Sequence, residues 1–200
     1  LAQNLQGERD KVLKEIAVLA KNVNHIKDIV SLQQSHATMT EVVEEVALTE
    51  LIEDAIKFNA RSFCRHGVHI SRNFDDVGFV HTKKQKVLQI LVNLVSNAKH
   101  ALKHGRHSEE RCIDICLFGV GQDRVAIEVE DNGIGIPKEN MTKIFMTGFT
   151  TKKKGHGFGL HYSAIAAKEL GGTLNVASEG PGKGATFRLE LPVRAQEDEE

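Results

Sequence analysis

The sequence predicts an α+β domain preceded by a long bundle-forming helix, and three observations predict it. Residues 67–74, 111–118, 124–130, 173–178 and 185–191 run as alternating apolar and polar side chains, the period of half-buried strands. Residues 83–103 carry Val87, Leu88, Leu91, Val92, Leu94, Val95, Ala98 and Leu102, more than one apolar stripe, so this helix lies largely buried between a sheet and other elements. Ahead of these, Val12, Ile16, Leu19, Val23, Ile26 and Val30 recur at spacings of four and three, the 3.5-residue repeat of a bundle seam.

Nothing in residues 1–36 closes that first helix on itself. Its stripe is buried either against a second copy of the chain or against its own domain, and the dimer is favoured. From Glu44 the texture changes. Residues 45–48 read as a short strand, Thr49 as a helix N-cap, and Leu51, Ile52, Ala55 and Ile56 as the buried face of the helix that follows. A strand at 67–74 and another at 78–81 come next, then the buried helix. Residues 119–123 join the strands at 111–118 and 124–130 as a hairpin.

Composition narrows the function. Charged residues make up 26% and the net charge is −1, against the basic face of a general nucleic-acid binder. No apolar run approaches a membrane span and no signal peptide opens the chain, so no direct membrane contact is expected. The first residue is Leu1, which suggests a segment of a longer protein. Cys64, Cys112 and Cys116 form no C-x-x-C pair; the last two share one strand face, ordinary for a core, and all read as reduced cytoplasmic thiols.

The strand at 124–130 opens into Asp131-Asn-Gly-Ile-Gly135. A strand ending this way delivers one fixed carboxylate to a pocket, and the glycines let backbone approach a flat ligand, a combination that suits a purine as well as a plain Asx/Gly turn. Asn93 and Asn97 stand one turn apart on one face of the buried helix. Their amides bond neighbouring backbone or water, or their oxygens hold a hard cation such as Mg²⁺. Residues 138–154 are polar and weakly periodic, a mobile loop whose Lys152, Lys153 and Lys154 face phosphate or solvent. Gly155-His-Gly-Phe-Gly-Leu160 then opens a helix through Leu170, and glycines before a helix N-terminus suit phosphate. Gly171 and Gly172 cap that helix, the strands at 173–178 and 185–191 close the domain, and residues 197–200 are an acidic tail.

In combination these blocks resemble the sensor histidine kinases of two-component signalling, whose catalytic domain shares a superfamily with type II topoisomerases, mismatch-repair ATPases and some chaperones. Asn93-Leu-Val-Ser-Asn97-Ala resembles the N box, Asp131 to Gly135 the first glycine box, Phe145 to Lys152 the phenylalanine box, and Gly155 to Leu160 the second glycine box. Gly182-Lys-Gly-Ala-Thr-Phe187 with Leu191-Pro192 is similar to the last block. The match runs over about residues 44–193.

The resemblance implies a two-layer α/β sandwich of the Bergerat type, with ATP and Mg²⁺ as cofactors under a flexible lid. It implies an ATP-dependent protein-histidine kinase that passes the γ-phosphoryl to a histidine and onward to an aspartate of a cognate response regulator. The implied ATP-binding set is Asn93, Asn97, His100, Asp131, Gly133, Ile134, Gly135, Phe149, Thr150, Thr151, Lys152, Gly155, His156, Gly157, Phe158, Gly159, Leu160 and Thr186. Asp131 would accept from the adenine amine, Asn97 would bind Mg²⁺, and Asn93 would help hold metal or phosphates. Residues 1–40 would be the second helix of the dimerisation and phosphotransfer hairpin, 41–195 the catalytic domain and 196–200 the tail.

Three departures stand out. None of the ten histidines is followed by an acid, as the family's reacting histidine is, so the acceptor is expected elsewhere. His100 stands where many relatives carry a phosphate-contacting Lys, and Met146-Thr147-Gly148 replaces the acidic-proline-aromatic run of the phenylalanine box. Two other functions were weighed. An ATP hydrolase of the same superfamily would carry a Glu where Asn93 stands, and a nucleotide-binding dimerisation module would not need the full Asn, Asp and Gly set.

Overall fold

The computed structural model describes residues 42–103, 110–152, 155 and 157–194. The expected N-terminal helix at 1–40, the acidic tail, Lys153, Lys154 and His156 lie outside the described residues. The chain runs β1 (Glu44–Ala47), α1 (Leu48–His66), β2 (Val68–Phe74), β3 (Phe79–Thr82), α2 (Lys84–Lys103), β4 (Arg111–Val120) and β5 (Arg124–Asp131). Two single-turn 3-10 helices follow at Lys138–Asn140 and Lys143–Phe145, then α3 (Gly159–Glu169), β6 (Thr173–Ala177) and β7 (Ala185–Pro192).

The main sheet has the order β2-β4-β5-β7-β6, with β2 parallel to β4 and the remaining pairs antiparallel. Alternation decides its two faces. Ile113, Ile115 and Leu117 of β4, Val125, Ile127 and Val129 of β5, and Phe187, Leu189 and Leu191 of β7 are all buried. The helices cover that face: Leu51, Ile52 and Ala55 come from α1, and Val87, Ile90, Leu91, Leu94, Val95 and Ala98 from α2. Helix α2 is the middle helix, touching α1, α3, β4 and β5, which is why its apolar residues exceed one stripe.

The other sheet face carries no helix among the described residues. Arg124 bonds Glu190 at 2.7 Å, Arg188 bonds Glu128 at 3.2 Å and Glu190 at 3.4 Å, and the Arg188 guanidinium lies 5.3 Å from the Phe118 ring centre. The result is the two-layer sandwich, with a small antiparallel β1-β3 ribbon beside it.

Two expectations are corrected. Thr49 is not the N-cap: α1 starts at Leu48 from Ala47, because β1 runs into it directly, so Thr49 falls inside the first turn. Cys112 and Cys116 do share a strand face, but it is the half-buried polar face, since the alternating Ile113 and Ile115 take the core side. Both are free thiols, held above their ordinary range by burial first and then by neighbouring carboxylates.

Leu94 is fully buried at the centre of α2 while Phe58 of α1 is 73% exposed. Leu94→Ala should lower the unfolding free energy by about 2–5 kcal/mol in urea titration. Phe58→Ala should change it by no more than about 0.5 kcal/mol.

Candidate functional site

The site begins where β5 ends. Asp131 has the same parity as Val125, Ile127 and Val129, so its carboxylate points to the helix side, where it is only 3% exposed. Its Oδ1 accepts a 2.9 Å hydrogen bond from the Gly133 N–H. Burial pushes the carboxyl up to about 7; the Gly133 bond opposes this and the charge of Glu130 adds to it. A buried carboxylate that accepts a single hydrogen bond is suited to a ligand that brings its own donor.

Glycines close round that carboxylate. A Cβ on Gly133 would lie 2.6 Å from the Ala101 backbone of α2, and one on Gly184 would collide with the Asp131 carbonyl. Gly135, at φ +67°, faces the Gly180 carbonyl at a separation that also excludes a Cβ. Hydrogen bonds stitch this turn to the β6–β7 loop: Gly182 N–H to Ile134 O at 2.6 Å, Gly184 N–H to Gly133 O at 3.2 Å, and Ile136 N–H to Ser178 Oγ at 3.0 Å. Asn132 turns outward and ties β5 to β4, accepting from Cys112 N–H at 2.9 Å and donating to Glu110 O at 2.7 Å.

A second cluster lies along α2. Lys152 Nζ donates to Asn97 Oδ1 at 2.6 Å, Asn97 Nδ2 to Asn93 Oδ1 at 3.5 Å, and Asn93 Nδ2 to Ser163 Oγ of α3 at 2.9 Å. Gly159 opens α3 against the Asn93 amide, where a Cβ would stand 2.5 Å from Oδ1. The N-cap residue of α3, Phe158, makes no side-chain capping bond, and the positive dipole end of the helix points back toward the glycine-rich stretch that precedes it. Gly157, at φ +75°, packs on Gly148 and accepts from its N–H at 3.1 Å.

Helix α2 joins the clusters. Asn93, Asn97 and Ala101 are spaced by four, so one stripe of the helix runs from the amide pair to the wall of the Asp131 turn. Eight residues of helix span about 12 Å, the scale of an extended nucleoside triphosphate.

Phe149 and Leu160 pack against the core, and Thr150 Oγ1 accepts from Lys152 N–H at 3.1 Å. Thr151 is exposed, while His100, Gly155 and Phe158 are half-buried. Thr186 is the correction. It pairs with Glu130 while its neighbour Ala185 pairs with Asp131, so alternation sends Thr186 to the opposite face of the sheet from Asp131.

The chemistry of the donor set decides whether Mg²⁺ fits here. No group of three or more His, Cys, Asp or Glu side chains converges among the described residues, so any cation here must use amide and phosphate oxygens. The Asn97 oxygen fits, because a cation, the Lys152 ammonium, already sits on it. Asn93 fits less well as a ligand: its amide is spent on Ser163 and Asn97, which makes it the residue that orients Asn97.

Four residues were missed by sequence reasoning. Ser163 anchors Asn93 and is buried, and as a polar residue four places after Gly159 it gave a faint signal. Ser178 bonds Gly184 O at 2.6 Å as well as Ile136. Lys99 donates to Asn59 of α1 at 2.7 Å, with burial holding it below its ordinary value. His161 of α3 bonds Phe145 O through Nδ1 and Thr147 Oγ1 through Nε2, both at 2.9 Å. It thus holds the altered Met146-Thr147-Gly148 stretch against α3.

Comparisons with known proteins identify a family and a fold. The family described as histidine kinase-, DNA gyrase B-, and HSP90-like ATPase matches residues 82–195. Sensor histidine kinase ZraS of Klebsiella oxytoca is 36% identical over 60% of this chain and 25% of its own length. The signal transduction histidine-protein kinase AtoS of Escherichia coli (strain K12) is 30% identical over 92% of this chain and 29% of its own. The chain thus spans less than a third of these two curated relatives. Among solved structures, the nucleotide-free catalytic domain of histidine kinase ThkA is similar with a TM-score of 0.67 and 27% identity, over 76% of this chain and 96% of that one. Full-length ShkA in complex with AMPPNP shares the fold at a TM-score of 0.67 and 22% identity, over 78% of this chain and 32% of its own.

The elevated Asp131 carboxyl makes the stability of the fold depend on pH. Because its folded value exceeds its ordinary 3.8, the contribution is fully present below about pH 4 and is lost as pH rises through about 7. An elevation from 3.8 to about 7 corresponds to on the order of 4 kcal/mol. Asp131→Asn keeps an acceptor for Gly133 and cannot ionise, so it should match the parent in urea unfolding at pH 4 and exceed it by several kcal/mol at pH 8. Equal stability at both pH values would contradict the burial argument.

Proposed function

Because this chain belongs to the histidine kinase-, DNA gyrase B-, and HSP90-like ATPase family, we propose that it is the ATP-binding catalytic portion of a sensor histidine kinase. The observation that carries the reading is the buried Asp131 carboxylate at one end of the α2 stripe and the Asn93–Asn97 amide pair at the other.

In this reading the Asp131 carboxylate accepts from the exocyclic amine of adenine, and Gly133 and Gly135 leave the base in contact with backbone. The glycines before α3 turn N–H groups and the helix dipole toward the phosphates. Asn97 offers its oxygen to Mg²⁺, oriented by Asn93, which Ser163 holds in turn. Mg²⁺, when bound, neutralises phosphate charge. His100 and Lys152 add hydrogen-bond donors. The chain's part in transfer is positioning and charge stabilisation, which is most of what phosphoryl transfer requires of a protein.

The nucleophile in this reading is a histidine outside the catalytic domain, and the phosphoryl group passes on to an aspartate of a response regulator. Residues 1–40 are the second helix of a dimerising hairpin, 41–195 the catalytic domain and 196–200 the tail, in a cytoplasmic part of the parent protein. No helix among the described residues is long and apolar enough to cross a membrane. Hydrolysis is disfavoured, since Asn93 stands where a hydrolase would hold a basic carboxylate, and its amide already bonds Ser163.

The test uses radiolabelled ATP with Mg²⁺. The chain alone should bind nucleotide without labelling itself, and an added acceptor domain with a phosphorylatable histidine should take up an acid-labile, base-stable label. Asn97→Ala should lose the Mg²⁺ dependence of binding. An acid-labile, base-stable label on this chain alone, or rapid phosphate release with no acceptor, would contradict the proposal.

A further inference from the structure

The Lys152–Asn97 bond places a cation on the very oxygen that the proposed function gives to Mg²⁺. Lys152 is half-buried and its Nζ lies 2.6 Å from Asn97 Oδ1. It is fixed from its own side as well: its N–H donates to Thr150 Oγ1 at 3.1 Å and its carbonyl accepts from Gly155 N–H at 3.1 Å. Lys152 is thus held through its backbone while its side chain reaches across to α2.

Two cations do not share one amide oxygen. Within bonding distance of the same atom they would stand only a few ångströms apart, and the repulsion of like charges in a half-buried site is several times that in water. Lys152 is already crowded, since burial and the charge of Lys99 both disfavour its ammonium there.

We propose that Lys152 is a resident cation that occupies the metal's place on Asn97 when no nucleotide is bound, latches residues 149–152 onto α2, and is exchanged for Mg²⁺ when the metal–nucleotide enters. The inference rests on the assignment of Asn97 as metal ligand. Loop opening and metal binding then become one event. Metal without nucleotide gains little, because it must displace Lys152 with a single amide oxygen in return. Metal carried on phosphates brings acceptors for the released ammonium. Lys152 is a positioning residue in this scheme, acting on the metal through the oxygen both use.

Hydrogen exchange of the nucleotide-free chain reads the latch directly, at the Lys152 and Gly155 amides. Lys152→Met and Asn97→Ala should each speed exchange there by about tenfold, the worth of one charge-assisted bond, and the double variant no further. In Lys152→Met, the Mg²⁺ concentration that half-maximally strengthens ADP binding should fall several-fold. Unchanged exchange in Lys152→Met, or additive effects in the double variant, would overturn the latch while leaving the proposed function intact. If Asn97→Ala kept its full Mg²⁺ dependence, the metal assignment would fail and the exchange with it. Parent-like helix content in each variant shows that the fold is intact.

Discussion

The structure depends on one buried carboxylate. A β-strand whose inward residues are Val125, Ile127 and Val129 would ordinarily end on another apolar residue; here it ends on Asp131, 3% exposed and held by one backbone N–H. An acid so placed is costly in the empty protein, as its elevation to about 7 records. Such a group is retained where a ligand supplies the missing donor. The surrounding backbone is arranged to admit one. Gly133 lies against Ala101, Gly135 against Gly180 and Gly184 against Asp131 itself, so the turn and the β6–β7 loop approach each other without side chains between them.

Helix α2 turns this local feature into a site. The helix is the hub of the apolar layer, so its azimuth on the sheet is fixed by Leu91, Leu94, Val95 and Ala98. That same azimuth presents Asn93, Asn97 and Ala101 in a row, with Gly159 against the first and Gly133 against the last. The core therefore sets the distance between the carboxylate and the amide pair, and α3 sets the far end through Ser163. The loop between them is tied by His161 near its middle and by Lys152 near its end.

How far the sequence discloses this depends on the kind of interaction. Strand and helix positions were legible because burial on one face leaves a period of two or 3.6 in the apolar residues, and the expected elements from β1 to β7 lie within a few residues of the observed ones. Asp131 and the asparagines were legible because polar residues interrupt that period. Thr186 was expected at the site, but strand alternation sends its side chain to the face opposite Asp131. Ser163, Ser178, Lys99 and His161 left little trace, because each acts through a partner distant in sequence. The Lys152–Asn97 bond spans 55 positions and could not be read from either residue's neighbours.

The central claim is that the Asp131 carboxylate reads the exocyclic amine of adenine. Competitive titration of ATP against inosine triphosphate, with Mg²⁺ at pH 8 where the carboxylate is ionised, tests it most directly. Inosine offers a carbonyl where adenine offers the amine, so ATP should bind at least about tenfold more tightly. Equal affinity for the two nucleotides would contradict the account.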